Sequence, residues 1–591
     1  MCGIGGLMTL DGSAPPRAPL RAMERALQHR GPDGDGRYGS GNVGMVQTRL
    51  AIIDLATGDQ PLYEPGGAAL IANAEIYNYI ELREKLGCGG QPVFSTRSDC
   101  ELPLHLYRRY ELDFTSHLRG MYAIALHDPG TGRLILARDP FGIKPLYYAE
   151  TPSGFAFASE PGALMEAEIV VPQLVRSARN ELVQMQFTTG RETIFAGINR
   201  VLPGETVVVR QGRIVERRRR KALPEGGPSS IGEEEAVARL DAALLQSVRL
   251  HQRSDVPFGM FLSGGIDSTG VLVMMARLAE HPVKAFTVGF ATSEVADERP
   301  AARAAAAALG AEHVEIVFDE ADFWRLLPEI VSAVDDPAAD YAILPTWALA
   351  RAAHEAGLKV ILTGEGGDEL FAGYGRYRSA MRPWWAGGRT PRARGVLDGL
   401  GILRSEIAGW RDGITAAEAR NGGGRRTPLQ VAQAVDCADW LPNDLLIKLD
   451  RCLMAHGTEG RTPYLDTDLA GFVFRLPDDL KVRRGSGKWL LRRWLSDRLP
   501  DLQPFARKRG FTVPVGTWLA QRGAEIGPLV ARSPAVQEIC RPEAVERLFA
   551  APLNKRTTRA AWNLLFYALW YRRHIERTLL PPDTIAALAG S

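Results

Sequence analysis

The stretch that most constrains the fold is an apolar run through Met260, a turn over residues 263–268, and a helical pattern from Thr269 to Leu278. In the turn, two adjacent glycines stand between serines, and such a turn leaves backbone N–H groups free at the start of a helix. This turn predicts an anion-binding site in which the free N–H groups form a cradle around the anion. It is not a Walker A loop, because no Lys-Ser or Lys-Thr pair follows the glycines. A purely structural glycine turn, common in α/β proteins, is the alternative.

Strands and helices alternate around this turn from about residue 231 onward. The alternation predicts a parallel sheet with right-handed crossovers, in which ligands bind beyond the carboxyl ends of the strands. Past about residue 440 the pattern is mainly helical. We therefore predict an α/β parallel-sheet domain with a helical C-terminal part over residues 231–591. The predicted strands are Phe258–Leu262, Val283–Val288, Glu312–Phe318 and Lys359–Thr363.

Residues 1–170 follow a different pattern, with short strands bounded by turns and few helices. Helical patterns near Pro19 to Gln28 and Cys100 to Arg109 are available to cover a sheet. We therefore predict a layered, largely antiparallel α+β domain. The predicted strands are Val43–Gln47, Leu50–Asp54, Ala69–Tyr77, Met121–Asp128, Arg133–Arg138 and Phe155–Ser159.

Between these parts we predict a linker over residues 171–230 with a small hairpin at Thr206–Arg210 and Arg213–Glu216. Consecutive cations at 217–221 could dock an acidic partner, but a solvated linker surface is the favoured interpretation. Asp335 and Asp336 could form an acid/base pair, but a solvated helix cap is favoured.

The composition excludes several classes of protein. At 591 residues the chain is too long for one hydrophobic core, so two or more domains are expected. The 71 basic and 69 acidic residues nearly cancel, which leaves no electrostatic footprint for nucleic acid. The cysteines lack Cys-x-x-Cys spacing, which argues against zinc and a disulfide framework. No export signal or membrane-length apolar run occurs, so a cytoplasmic location is expected.

Cys2 is the candidate nucleophile of the N-terminal domain. An initiator Met before a small residue is normally removed, so the mature chain would begin with a cysteine whose own α-amine can act as general base. An α-amine has a pKa of about 7.7 to 8.0 and can take up the thiol proton near neutral pH. A buried N-terminal cysteine without a catalytic role is the alternative.

Cys2 stands in the first of five segments that together resemble the glutaminase domain of class II amidotransferases. That family folds as an N-terminal nucleophile hydrolase and releases ammonia from glutamine through a thioester. The segments are Met1–Ile4, His29–Asp33, Arg49–Asp54, Asn73–Asn78 and Ser98–Glu101.

The resemblance implies how these segments bind glutamine. Arg49 would bind the α-carboxylate, and Glu75 and Asp99 would bind the α-ammonium group. The side chain of Asn73 would donate to the oxyanion, together with the backbone N–H of Ala74.

Ala74 departs from the family, which usually has glycine at this position. If φ is positive here, alanine costs roughly 1 to 2 kcal/mol, and rotation of the peptide would relieve the strain. The amide would then point away from the oxyanion, and glutaminase activity would be weak. If φ is negative, alanine is tolerated and nothing follows.

Further segments in the second half, together with the turn at 263–268, resemble glutamine-hydrolysing asparagine synthetases over nearly the whole chain. The turn itself looks like the pyrophosphate loop of ATP pyrophosphatases. Glycines at 364, 366, 367 and 373 would let the backbone pass close to a ligand. The segments are Thr363–Tyr374, Asp450–Arg451, Glu459–Asp466, Gly487–Arg492 and Arg507–Phe511.

The resemblance implies that ATP binds at this edge of the parallel sheet. Leu262 and Val288 would flank adenine, and Thr363 and Gly364 would face the nucleotide. The pyrophosphate would be held by the turn residues Ser263, Gly264, Gly265, Asp267 and Ser268.

Four residues would carry the chemistry of this second site. Asp267 and Asp368 would be Mg²⁺ ligands, because a hard cation prefers oxygen. Lys488 would neutralise charge developing at the α-phosphorus. Glu365 would support attack of ammonia on the intermediate.

The resemblance implies a glutamine-dependent ligase that adenylates aspartate and gives asparagine, AMP, pyrophosphate and glutamate. Ammonia from the Cys2 site would travel through the protein to the adenylate. One alternative keeps this chemistry but uses a peptide, a sugar acid or a secondary metabolite as the acceptor. A more distant one is a glutamine- or nucleotide-binding regulator without turnover. A homodimer is left open.

Overall fold

A computed structural model of the chain describes residues 2–87, 94–291, 297–382, 392–506 and 512–590. The Arg507–Phe511 segment therefore lies outside the described residues. The strands that build the three main sheets are β1 Cys2–Thr9, β2 Gly34–Ser40, β3 Val43–Arg49, β4 Leu62–Tyr63, β5 Ala69–Ile76, β6 Gly120–Asp128, β7 Arg133–Arg138, β8 Tyr147–Thr151, β9 Gly154–Ala158, β10 Asn199–Arg200, β11 Glu205–Arg210, β12 Arg213–Arg219, β13 Phe258–Phe261, β14 Lys284–Phe290, β15 Glu312–Phe318, β16 Val360–Leu362 and β17 Glu459–Arg461.

The helices are short in the N-terminal half and longer and more numerous after residue 230. In chain order they are α1 Arg17–Ala26, α2 Tyr79–Gly87, α3 Leu102–Tyr110, α4 Pro161–Glu166, α5 Arg176–Met185, α6 Glu233–His251, α7 Ile266–Leu278, α8 Arg299–Ala308, α9 Glu320–Ala333, α10 Ile343–Glu355, α11 Gly367–Leu370, α12 Gly375–Ala380, α13 Asp412–Asn421, α14 Pro428–Val435, α15 Leu446–Met454, α16 Thr467–Phe474, α17 Asp478–Lys481, α18 Trp489–Ser496, α19 Val515–Gln521, α20 Gly523–Arg532, α21 Pro534–Gln537, α22 Pro542–Ala550, α23 Lys555–His574 and α24 Thr584–Ala589.

Two six-stranded antiparallel sheets face each other in the N-terminal half, in the orders β10-β8-β9-β1-β3-β2 and β12-β11-β7-β6-β5-β4. Side chains alternate along each strand, so that Ile4, Met45, Ile71 and Ala125 meet in a core between the sheets. Helices α1 and α4 cover the outer face of the first sheet, and α3 covers that of the second. The predicted layered α+β domain is confirmed.

The segment Leu50–Asp54 was predicted to be a strand, and this is wrong. The chain leaves β3 after Arg49 and turns, with Asp54 at φ 55°. Leu50 and Ile52 are buried against apolar residues of the C-terminal half, and the backbone N–H of Asp54 donates to Asp255 Oδ2 at 2.7 Å. The apolar residues of this segment therefore pack between the two halves of the chain and do not form a strand.

The hairpin within the predicted linker extends the second sheet. β11 pairs with β7 over four residues, and β12 pairs with β11 at the sheet edge. The cations of residues 217–219 lie on β12. The adjoining helix α5 contacts the C-terminal helices, where Asn563 Nδ2 donates to the carbonyl oxygen of Val183 at 2.8 Å.

The C-terminal half is built on a parallel five-stranded sheet in the order β15-β14-β13-β16-β17, which confirms the predicted α/β domain. The loops after β13, β14, β16 and β17 leave this sheet at one edge, where ligands of such sheets bind. Helices α19–α24 pack beside the sheet and form the helical end of the chain. In the described ranges, none of the helices combines the length and hydrophobicity that a membrane-spanning segment needs.

Candidate active site

Cys2 opens β1, and only 5% of the residue is exposed. Its backbone nitrogen donates to Asn73 Oδ1 on β5 at 3.2 Å, and Arg30 Nε donates to its carbonyl oxygen at 3.3 Å. In the antiparallel pair of β1 with β3, Cys2 lies opposite Arg49. The first two sheets therefore bring together the predicted nucleophile, the predicted oxyanion donor and the predicted carboxylate ligand.

The side-chain amide of Asn73 has an unused donor. Asn73 Nδ2 is buried and has no hydrogen-bond partner within the described ranges. Leaving a buried donor unpaired costs about 1–3 kcal/mol, so such a donor is expected where a ligand supplies the acceptor. This geometry suits an oxyanion beside Cys2.

The backbone N–H of Ala74 points to the same region. The N–H groups of Ala72 and Ile76 donate to Gln60 Oε1 at 2.6 Å and to Asp99 Oδ2 at 2.7 Å. Alternate residues of a strand direct their N–H groups to the same edge, so the N–H of Ala74 faces the gap between these two side chains. Strand β4, which pairs with the same edge of β5, has ended before this point.

Ala74 carries none of the strain that positive φ would impose. It lies inside β5, opposite Tyr122 in the register with β6, and its φ is not positive. The hypothesis of a strained or flipped amide is therefore wrong, because extended backbone accommodates alanine as readily as glycine.

The guanidinium of Arg49 is held at the end of β3 by the turn that follows. Arg49 Nη2 donates to the carbonyl oxygen of Asp54 at 2.6 Å, and Arg49 Nη1 donates to Asp59 Oδ1 at 2.5 Å. The Asp59 side chain is 80% exposed. A carboxylate therefore already lies on the cation that was predicted to bind a substrate carboxylate.

Glu75 and Asp99, the predicted ammonium ligands, are both buried. Burial raises the pKa of Asp99 to about 6, although the hydrogen bond that its carboxylate accepts from the backbone N–H of Ile76 acts to lower this pKa. Burial, and then the charge of Glu459, raises the pKa of Glu75 well above its usual range. An ammonium group placed between Glu75 and Asp99 would offset this excess of negative charge.

Arg461 joins this site to the parallel sheet. Its Nη2 lies 2.9 Å from Glu75 Oε2, and its Nε donates to Glu459 Oε1 at 2.6 Å. Its carbonyl oxygen accepts from the backbone N–H of Thr363 at 2.9 Å. One residue thus contacts both a carboxylate predicted to bind glutamine and the loop predicted to face ATP.

A second buried ion-pair network connects the two halves. Arg30 pairs with Asp450 through two hydrogen bonds of 2.8 and 3.0 Å and with Glu160 at 2.6 Å. Arg451 pairs with Asp335 at 2.9 Å and with Glu160 at 3.2 Å. Because Arg30 also contacts Cys2, the network runs from the predicted nucleophile to helix α15.

The interpretation of Asp335 and Asp336 as a solvated helix cap is wrong. Asp335 is 5% exposed and pairs with Arg451, and Asp336 is 3% exposed and pairs with Arg200 at 2.6 Å. Arg451 is 116 residues from Asp335 in the sequence and Arg200 is 136 residues from Asp336, so the sequence pattern around the two carboxylates could not reveal them.

The glycine turn predicted to form an anion cradle follows β13 and leads into α7. Ser263 Oγ and Ser268 Oγ lie 3.1 Å apart, Gly264 has φ 65°, and Gly265 precedes the first turn of α7. A Cβ on Gly264 would lie 2.7 Å from the backbone nitrogen of Ala302, so only glycine fits. The turn presents two hydroxyls and a helix N-terminus to one space, which suits a phosphate group.

The loop after β16 packs directly on this turn. A Cβ on Gly364 would lie 2.9 Å from the backbone nitrogen of Ser268, and a Cβ on Gly367 would lie 2.6 Å from Asp267 Oδ1. The glycines predicted to allow close approach of a ligand therefore also allow the two loops to approach each other. Thr363 is buried at the start of the second loop.

Lys488 stands between the two predicted magnesium ligands. Its Nζ contacts Asp267 Oδ2 and lies 2.5 Å from Asp368 Oδ1. The charges of these two carboxylates hold the pKa of Lys488 above its usual range, against burial. Two carboxylates that converge on one point are the oxygen donors a hard cation needs, so they fit Mg²⁺ with phosphate oxygens as further ligands.

These loops border a cavity of about 310 Å³. Of the residues predicted at this site, Leu262, Ser263, Asp267, Ser268, Val288, Thr363, Gly364, Glu365 and Asp368 line it. Gly264 and Gly265 lie in the same turn and contribute backbone, and Lys488 reaches the site through its two carboxylate partners.

Several charged residues around the two sites were not assigned a role from the sequence. Lys448 on α15 lines the cavity and lies 3.0 Å from Asp340 Oδ2. Arg30, Glu459 and Arg461 form the contacts between the halves described above. A charged residue inside an otherwise apolar stretch of sequence could have indicated these positions. Such a residue is expected to be buried, and buried charged residues are nearly always paired.

The chain is similar to known proteins over nearly its whole length. Residues 239–572 match the family model of asparagine synthase, and residues 1–219 match that of a glutamine amidotransferase domain. Asparagine synthetase [glutamine-hydrolyzing] 1 of Bacillus subtilis is 32% identical over 99% of this chain and 98% of its own length. A putative asparagine synthetase [glutamine-hydrolyzing] of Mycobacterium tuberculosis is 33% identical over 98% of both chains. Amidase chry2 of Gibberella zeae is 29% identical over 82% of this chain and 84% of its own length.

Proposed function

We propose a two-site, glutamine-dependent amidation for this chain, which belongs to the asparagine synthase family and carries an N-terminal glutamine amidotransferase domain. As a glutamine-hydrolysing asparagine synthetase it uses glutamine, ATP and a carboxylate acceptor. The proposal assigns glutamine hydrolysis to residues 1–170 and acceptor activation to residues 231–591, joined by residues 171–230. The observation that carries it is the contact of one residue, Arg461, with both sites.

In the first half-reaction the Cys2 thiolate attacks the side-chain carbonyl of glutamine, and the α-amine left by removal of Met1 takes up the thiol proton. The proton then passes to the leaving ammonia, and water hydrolyses the thioester to glutamate. Asn73 Nδ2 and the N–H of Ala74 would stabilise the oxyanion, and loss of one such donor typically costs about 10²- to 10³-fold in turnover.

Glutamine is positioned by charges that complement its α-amino acid group. Arg49 would exchange Asp59 for the α-carboxylate, which costs little because Asp59 is exposed. Glu75 and Asp99 would receive the α-ammonium group. Their raised pKa values support this role, since a bound cation favours the charged forms of both carboxylates.

In the second half-reaction a carboxylate oxygen of the acceptor attacks the α-phosphorus of ATP, and the bond to the pyrophosphate oxygen breaks. The turn at 263–268 would bind the departing pyrophosphate, with Leu262 and Val288 beside adenine and Thr363 and Gly364 facing the nucleotide. Lys488 would stabilise negative charge at the phosphorus. Mg²⁺, held by Asp267 and Asp368, would neutralise the phosphates when bound.

Ammonia then attacks the acyl carbon, and AMP leaves with the electrons of the broken acyl–oxygen bond. Only unprotonated ammonia is nucleophilic, so a path sheltered from water is needed between the sites. Glu365, whose pKa is raised chiefly by burial, would take up the proton that the attacking nitrogen loses. The buried network around Arg30 and Asp450 runs from Cys2 to helix α15, whose Lys448 and Leu449 line the cavity of the second site.

Aspartate is the acceptor we propose, because the relatives are named asparagine synthetases. A second acceptor class, a larger carboxylate, is favoured by the wide cleft described below. A cytoplasmic location is part of the proposal, and a homodimer is left open. A non-catalytic glutamine- or nucleotide-binding regulator is the distant alternative, and the retained Cys2, Asp267, Asp368 and Lys488 argue against it.

Product analysis tests the proposal. The full chain is incubated with aspartate, glutamine and MgATP, and products are identified by mass spectrometry. Asparagine, AMP, pyrophosphate and glutamate in equal amounts are expected. A panel of other carboxylates assayed for pyrophosphate release separates the two acceptor classes. Absence of AMP with every acceptor would favour the non-catalytic regulator.

A further inference from the structure

A second and wider space adjoins the cavity of the adenylation site. Its volume is about 1210 Å³, and Asp340 and Tyr374 border both spaces. Binding sites for drug-sized ligands are typically about 300–1,000 Å³, so the wider space exceeds what free aspartate requires. We call this space, between α12, the 392–396 segment and the start of α23, the basic cleft.

Basic residues outnumber acidic ones in the basic cleft. Six basic and two acidic side chains line it. The acidic ones are Asp340, which pairs with Lys448, and Asp444, whose pKa burial raises to about 7. The basic ones are Arg376, Arg392, Arg394, Lys555, Arg556 and Arg559.

Two of the basic residues share one carboxylate partner, and four have none within ion-pair distance in the described ranges. Arg376 and Arg392 share Asp436, at 2.8 and 2.5 Å. Within the described ranges, no carboxylate lies within ion-pair distance of the other four cations, which are Arg394, Lys555, Arg556 and Arg559. Arg559 Nε donates to the neutral side chain of Gln186, and Asp340 and Asp444 act on its charge from beyond ion-pair distance. The cleft therefore has an uncompensated positive charge.

Three of these cations lie where the helix itself disfavours them. Lys555, Arg556 and Arg559 occupy the first turns of α23, and no acidic residue stands in its first turn. The N-terminus of a helix carries partial positive charge, which favours anions and disfavours cations. Arg556 Nη2 is also buried without a hydrogen-bond partner in the described part of the chain. A bound anion would satisfy both conditions.

We propose that the basic cleft binds an acidic peptide, whose aspartyl or glutamyl side chain enters the adenylation cavity as the carboxylate to be amidated. This rests on the proposed function and names its acceptor class. Further carboxylates of the peptide pair with Lys555, Arg556 and Arg559. Free aspartate is then the smallest acceptor, bound without these contacts.

Binding of two peptides tests the cleft directly. Triglutamate and triglutamine, which differ in side-chain charge, are titrated calorimetrically into the full chain with MgATP. Triglutamate is expected to bind at least about tenfold more tightly, and the difference should shrink in high salt. The double variant Lys555→Gln/Arg556→Gln should lose about tenfold of the triglutamate affinity. Arg547→Gln, an exposed arginine without an ion pair in the described ranges, is the matched control and should lose nothing.

An amidation assay run beside the binding measurement distinguishes an error in this inference from an error in the proposed function. Equal binding of the two peptides, or triglutamate binding that the double variant does not change, would overturn the acidic-peptide site, even if aspartate is amidated normally. Charge-dependent peptide binding without amidation of any carboxylate would retain the site and overturn the proposed function. If inorganic pyrophosphate, and not triglutamate, loses affinity in the double variant, the cleft accepts the leaving group and the inference is wrong.

Discussion

Arg461 Nη2 lies 2.9 Å from Glu75 Oε2, although Glu75 belongs to the second antiparallel sheet and Arg461 to the edge strand of the parallel sheet. Both side chains are buried, at 0% and 4% exposure. The carbonyl oxygen of Arg461 accepts from the backbone N–H of Thr363 in the loop after β16, which we propose to face ATP. A displacement of this loop would therefore move Arg461, the partner of a residue that we propose to bind glutamine.

Removing one partner of this pair should destabilise the chain. Arg461→Met leaves Glu75 and Glu459 buried without their cation, and breaking a buried pair in this way typically costs about 3–5 kcal/mol. A lower midpoint of urea unfolding and weaker glutamine binding are expected. Arg325→Met removes an exposed helical pair with Asp322 and should leave the midpoint nearly unchanged. Equal midpoints for the two variants would contradict the buried-pair account.

Glutaminase activity should depend on the charge of Asp99. Burial raises the pKa of Asp99 from 3.8 to about 6. The protonated carboxyl therefore contributes its full share to folding stability below pH 3.8, and this contribution is lost as the pH rises through about 6. Binding of an α-ammonium group needs the charged form, so kcat/KM for glutamine should rise with pH through about 6. The charges that face Asp99 are those of Glu75, Glu459 and Arg461.

The Asp99→Asn variant is the control for this pH profile. Its kcat/KM should be low throughout and lack the inflection near 6, while the later rise from the α-amine of Cys2 stays. An unchanged inflection in Asp99→Asn would assign the titration to another group.

Metal dependence should belong to the second site alone. Asp267→Asn and Asp368→Asn keep the shape of each side chain but remove a charged oxygen ligand. Each variant should reduce pyrophosphate release far more than glutamine hydrolysis, with a higher Mg²⁺ concentration needed for half-maximal rate. Both changes also free Lys488 from one partner, so thermal unfolding is measured in parallel. Equal loss of glutaminase activity would indicate a structural role.

Ala74→Gly should leave the glutaminase unchanged. Ala74 lies in regular strand β5 without positive φ, so glycine relieves no strain, and the N–H of residue 74 stays on the edge of β5 away from β6. Glutamate release is measured with the synthetase site empty. A clear rise in the glycine variant would show that the alanine side chain, in contact with substrate, limits the reaction.

The sequence predicts best what depends on neighbours along the chain. The turn at 263–268 needs only its own glycines and serines, and β7 is found at Arg133–Arg138 as predicted. Leu50–Asp54 was misassigned because its apolar residues are buried by the other half of the chain, which no local pattern reveals. Asp335 and Asp336 were misassigned for the same reason, since their arginine partners are remote in sequence.

In the candidate sites, too, the sequence predicts the residues of local motifs but not the contacts between distant segments. Cys2, Asn73 and Arg49 are recognised by motif. Pairing of β1 with β3 brings Cys2 opposite Arg49, and β5 of the facing sheet brings Asn73 to Cys2. The contacts of Arg461 with Glu75, and of Arg30 with Asp450, join separate sheets and helices and need the tertiary structure. The charge of the basic cleft likewise needs the tertiary structure, because Lys555, Arg556 and Arg559 follow Arg376, Arg392 and Arg394 only after more than about 150 residues of sequence.

The central claim is that Cys2 serves only the release of ammonia and that Lys488 serves activation of the acceptor. The most direct measurement compares Cys2→Ala and Lys488→Ala for amide formation from glutamine and from added ammonium salt, with MgATP and aspartate. Cys2→Ala should form no product from glutamine and retain the ammonium-driven rate, whereas Lys488→Ala should lose both. Loss of the ammonium-driven reaction in a folded Cys2→Ala protein would contradict the two-site account.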